Sequence, residues 1–86
     1  MKNNLNYDDI FLRSKKNELN ESETREIIDF QLNLAGWTAD TKKLNYKNGT
    51  RPVENKFIAI AEWPTSSGPA DYVLFYGLKP IATIEA

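Results

Sequence analysis

The sequence predicts an α+β domain: a long helix packed on a largely antiparallel β-meander. Residues 21–35 carry apolar side chains at helical spacing behind a capping signal. Beyond residue 56 the chain turns β-rich, in three runs separated by turn-forming residues. The helical patterns precede the strands rather than alternate with them, which separates α from β.

Residues 1–6 are polar and asparagine-rich, as expected of a frayed terminus. Tyr7 to Lys16 reads as a short helix. Tyr7, Ile10 and Phe11 share a face, Asp8 and Asp9 lie near its start, and Arg13, Lys15 and Lys16 near its end, an order that suits the helix dipole. Residues 1–19 are thus an amino-terminal extension and 20–86 one small domain.

The main helix spans Glu21 to Ala35. Asn20 can cap it, with Glu23 in the capping-box position. Ile27, Ile28, Leu32, Leu34 and Ala35 form its apolar stripe, widened by Phe30. Gly36 takes the left-handed stop position, and Trp37 folds back on the last turn. Lys42 to Tyr46 is a weak strand pattern ended by the turn signal Asn48-Gly49. Lys56 to Trp63 is the expected central strand, Pro64 to Pro69 a loop, and Asp71 to Tyr76 and Ile81 to Glu85 two more strands around Gly77-Leu78-Lys79-Pro80.

The 86 residues hold no cysteine and no histidine. That removes disulfides, thiolate zinc sites, Ser-His-Asp triads and histidine general bases. Any chemistry must come from carboxylates, lysines and hydroxyls, the groups of magnesium sites. A net charge of −1 argues against a self-sufficient nucleic-acid binder. The longest apolar run, Phe57 to Ala61, is far short of the ~20 residues that span a bilayer. The first residues lack the apolar core of a secretory signal, so a cytoplasmic location and no membrane partner are expected.

The last hairpin brings two carboxylates into question. Leaving Pro80 in the connection closes the strands on Phe75 opposite Ile81, with residues 76–80 as the loop. Asp71 then faces Glu85, with Cβ atoms ~4.5–5.5 Å apart. Two carboxylates so placed repel unless a metal or a basic side chain lies between them. A one-residue slip separates them, and both could simply be solvated ends.

Glu21-Ser22-Glu23-Thr24-Arg25, Ile28-Asp29, Leu32 and Ala35-Gly36-Trp37 resemble the opening helix of the amino-terminal domain of type I restriction enzyme R subunits. Pro69-Ala70-Asp71-Tyr72-Val73-Leu74 and Pro80-Ile81-Ala82-Thr83-Ile84-Glu85-Ala86 resemble strands of the same family. Each motif is weak alone; in this order, across residues 20–86, they are fairly specific. The resemblance implies a PD-(D/E)xK nuclease fold, here a truncated restriction-endonuclease-like core.

It also implies roles. Asp71 and Glu85 would hold Mg2+, Glu23 would be the helix glutamate near the same site, and Ala86 would lend its backbone carbonyl to the metal. The catalytic lysine would come next, after the last residue here, so the 86 residues are expected to be an inactive fragment. The parent would cleave double-stranded DNA with Mg2+, use ATP in translocase domains absent here, and work with modification and specificity subunits.

Other residues have blander readings. Glu23 serves as a cap whether or not it also serves a metal. Arg25 reads as a solvated or salt-bridging arginine. Lys42, Lys43, Lys47 and Arg51, with Tyr46 among them, could touch DNA phosphates, although the near-zero net charge favours a solvated loop. Trp37 and Trp63 are assigned to the core rather than to base stacking. The alternative function is a non-catalytic α+β interaction module, whose unpaired last strand could also pair two copies into a dimer.

Overall fold

The computed structural model describes residues 20–85. The helix expected over Tyr7–Lys16, the extension as a whole and Ala86 lie outside the described residues. Helix α1 spans Glu21–Leu34. Strands β1 (Thr38–Ala39), β2 (Phe57–Thr65), β3 (Gly68–Tyr76) and β4 (Lys79–Ile84) form one sheet in that order. β1 runs parallel to β2, and the other pairs are antiparallel. The α+β class and the β2–β3–β4 meander match expectation; the sheet is mixed because of β1.

The ends of α1 follow from local chemistry. Asn20 accepts from the Glu23 backbone N–H at 2.8 Å, while the Glu23 carboxylate accepts from the Asn20 N–H at 3.4 Å, closing a capping box. At the other end Gly36 adopts φ +100°, where a side chain would be strained. Its N–H donates to Asn33 and that of Trp37 to Leu32, the paired bonds of a Schellman stop. The inner face differs from the expected stripe. Leu32 is buried and Ile28 packs beside it, whereas Leu34 is 73% exposed and Phe30 is exposed too.

Three strand expectations need correction. Lys42–Tyr46 forms no strand; only Asn45 makes an isolated parallel bridge, to Ala61. The loop expected over Pro64–Pro69 shrinks to Ser66-Ser67, because Thr65 pairs with Gly68 and Pro64 with Pro69. Pro80 lies within β4, opposite Phe75. β4 is the edge strand, where a residue without an N–H is tolerated.

The sheet carries a cluster on each face. Ala59, Ala61 and Tyr72 pack with Leu32 and Ala39 on the helix side. Ile60, Val73, Phe75 and Ala70 form the other cluster, joined by Ile58 and Trp63. The alternation breaks at Glu62. Simple period-two alternation would put Trp63 with Ala61, and Ala70 with Tyr72, yet both lie in the opposite cluster. Glu62 has φ +54°, a left-handed conformation that non-glycine residues rarely adopt within a strand. Trp37 and Trp63 each pack against a cluster while remaining partly exposed.

Candidate functional site

Arg25 lies on the same helical face as Ile28, Asp29 and Leu32, at the spacing that points inward. It is 8% exposed, the one charged residue buried among those described. Its guanidinium donates to Asp71 Oδ1 at 2.7 Å and lies 3.6 Å from Glu21 and 3.7 Å from Glu62. Asp71 and Glu62 sit across from one another in the β2–β3 ladder, between the pairs Ala61–Tyr72 and Trp63–Ala70. The left-handed turn at Glu62 therefore brings both carboxylates to the helix side of the sheet, where Arg25 meets them. Arg25 Nε is buried without a hydrogen-bond partner.

A second polar cluster lies beside it. Thr41 donates its backbone N–H and hydroxyl to Asp29 at 2.8 and 2.9 Å. The Tyr72 hydroxyl donates to Asp29 Oδ1 at 2.9 Å and lies 3.2 Å from the carbonyl of Arg25. Burial raises the Tyr72 pKa well above its ordinary value. The Asp29 hydrogen bond and charge push the same way, and Thr41 and Arg25 offset part of that. These bonds fix α1 over β3 and so fix where Arg25 points. A pocket of about 510 Å³ opens between the two clusters, with Glu21, Arg25, Asp29, Thr41, Lys42 and Glu62 among its lining residues.

The hairpin β3–β4 restores the expected register by a different route. A two-residue turn, Gly77-Leu78, pairs Tyr76 with Lys79 and Phe75 with Pro80. A bulge then makes Ile81 the extra residue, and beyond it Leu74 pairs with Ala82, Val73 with Thr83 and Tyr72 with Ile84. The ladder ends at that pair, and Asp71 and Glu85 are the next residues on the two chains. Glu85 itself follows the end of β4 and is exposed.

Glu23 is engaged in the capping box; the helix carboxylate that shares Arg25's face is Glu21. Ala86 lies outside the described residues. Sequence reasoning overlooked Glu62 and the burial of Arg25. The signal for Arg25 was its place in line with Ile28 and Leu32; the strand position of Glu62 gave none. Asp71, Glu62 and Glu85 each offer only oxygen donors, the kind a hard divalent cation takes. Among the described residues no group of three histidine, cysteine or acidic side chains is close enough to hold a metal. None of their helices is long and apolar enough to cross a membrane.

A capped helix on a mixed sheet, with carboxylates gathered around a buried arginine, defines a small α+β domain with an acidic site. Residues 38–86 match the family described as the second domain of the type I restriction enzyme EcoKI endonuclease subunit. The chain is 54% identical over 74 residues to the type I restriction enzyme EcoKI endonuclease subunit of Escherichia coli (strain K12), a match covering 79% of the chain. The chain thus belongs to the type I restriction enzyme endonuclease-subunit family. It spans 6% of that relative's length. No solved structure matches it.

Proposed function

We propose that this domain supplies the catalytic carboxylates of the DNA-cleaving R subunit of a type I restriction-modification system. The observation that supports the reading is the β3–β4 ladder, which runs to Tyr72 opposite Ile84 and makes Asp71 and Glu85 the next residues on their adjacent chains. Asp71 and Glu85 would hold Mg2+, with the Ala86 carbonyl as a further ligand and Glu23 as a nearby acid. When bound, the metal supplies polarisation of the scissile phosphodiester and acidifies the attacking water.

The chain's own residues do the rest. Arg25 offsets the repulsion between Asp71 and Glu62 and holds Asp71 in one orientation. Tyr72 and Asp29 keep the helix in place above the strands. The longer protein would add the catalytic lysine after Ala86, ATP-driven translocation and the modification and specificity subunits.

The test is cleavage of double-stranded DNA by the longer protein with Mg2+ and ATP. Asp71→Ala and Glu85→Ala should each lower it by at least about two orders of magnitude, the scale of losing one site group, with circular dichroism checking that each variant remains folded. Cleavage unchanged in both variants refutes the assignment.

A second reading has one observation behind it. β4 pairs on one side only among the described strands, and its Ile81 is exposed, as an edge open to another chain would be. A non-catalytic interaction module or an edge-strand dimer would follow, and sedimentation of the chain at rising concentration tests both.

A further inference from the structure

We propose that the segment 41–51, which links β1 to β2, is a contact surface for the phosphate backbone of double-stranded DNA. Its cations are Lys42, Lys43, Lys47 and Arg51. The proposal deepens the nuclease reading and rests on it for the choice of partner.

The charge is one-sided. From Thr41 to Val53 the chain carries these four basic residues and no acidic one. All four are exposed. Among the described residues none of them forms an ion pair, whereas Arg25 has three carboxylates around it. Asp40, at the start of the segment, spends Oδ1 on the backbone N–H groups of Lys42 and Lys43. A molecule of net charge −1 thus gathers unpaired positive charge at one place.

The segment is also built rather than slack. The Asn45 side chain donates to Thr41 and Lys42 carbonyls and accepts from the Asn48 N–H, and the Asn48 side chain donates to Lys42 and Lys43 carbonyls. Arg51 bonds the Tyr46 carbonyl and stacks 3.8 Å from the Tyr46 ring centroid. Lysines 42 and 43 enter this network only through backbone atoms, so their ammonium groups are left for a ligand.

Its position gives the surface a purpose. The Tyr46 N–H donates to the Ala61 carbonyl, and the Ala61 N–H to Leu44, both at 3.0 Å. Ala61 is the residue before Glu62, so the basic segment is pinned to the strand beside the acidic site. Lys42 lines the same pocket as Arg25 and Glu62. A duplex seated on these cations would have its backbone next to the carboxylates, which by themselves repel phosphate.

The experiment titrates the 15N-labelled chain with a short blunt duplex at low salt and follows backbone amide shifts. The expected result is shifts concentrated on residues 41–51, lost in the Lys42→Gln/Lys43→Gln/Lys47→Gln triple variant. Lys79→Gln, at the start of β4, should keep them. Each lost phosphate contact should also lower the salt slope of binding by about 0.9. Shifts that map elsewhere, or that Lys79→Gln reduces as much as the triple variant, overturn the proposal. So does the absence of any shift at low salt. The outcome is separable from that of the nuclease reading, because a Mn2+ response at Asp71 and Glu85 is measured without DNA and does not involve the segment.

Discussion

Arg25 and Asp71, 46 residues apart in sequence, meet at 2.7 Å with the arginine buried in the seam between helix and sheet. This pair joins α1 to the strand that carries the candidate site. Its energetics follow the rule for buried ions, in which removing one partner costs more than the pair itself contributes.

Asp71→Asn should therefore destabilise the domain by about 3 kcal/mol, because Arg25 keeps its charge while its nearest partner loses the charge that balances it. Arg25→Met combined with Asp71→Asn should recover part of that loss. Urea denaturation of the three proteins measures both effects. A double variant less stable than Asp71→Asn contradicts the buried-charge explanation.

Glu62 holds its left-handed φ within a strand, and relief of that strain is measurable. Glu62→Gly and Glu62→Ala both remove the carboxylate, but only glycine relaxes the backbone. The glycine variant should be the more stable of the two by about 1 kcal/mol in chemical denaturation.

Glu23 has a structural task in the capping box and a proposed one near the metal. Glu23→Gln preserves the box, since glutamine serves at that position, and removes the charge. The melting temperature should stay within about 2 °C, a shift below 1 kcal/mol, while DNA cleavage by the longer protein falls. Equal cleavage would leave Glu23 with the cap alone.

Tyr72 titrates above the range of an ordinary tyrosine because burial disfavours its phenolate. The folded chain keeps this proton while the unfolded chain loses it near pH 10, so stability is complete below that pH and falls as pH rises beyond it. Tyr72→Phe should abolish this part of the alkaline decline and cost about 1–2 kcal/mol at neutral pH through the lost Asp29 bond. Denaturation midpoints between pH 8 and 11 check both.

The sequence told local features most clearly. Asn20, Glu23 and Gly36 announce the ends of α1 because caps and stops are made by residues close in the chain. The register from Leu74 to Tyr72 came out as expected although the turn did not, since the bulge at Ile81 offsets the shorter loop. What depends on distant pairing was hidden. β1 is two residues long and has no period to read, and the segment around Asn45 is held by a bridge to Ala61 rather than by strand propensity. Arg25 read as a solvated or salt-bridging arginine, and its ion pairing holds, but its burial was hidden because Asp71 and Glu62 lie on strands far along the chain. Glu62 gave no sign at all, because its backbone conformation is imposed by the sheet.

The most direct measurement is a Mn2+ titration of the 15N-labelled chain, followed by paramagnetic broadening of backbone amides. The expected result is early loss of signals around Asp71 and Glu85, abolished in the Asp71→Ala/Glu85→Ala double variant. Broadening that is absent, lies elsewhere, or persists unchanged in the double variant would contradict a metal site on these two carboxylates.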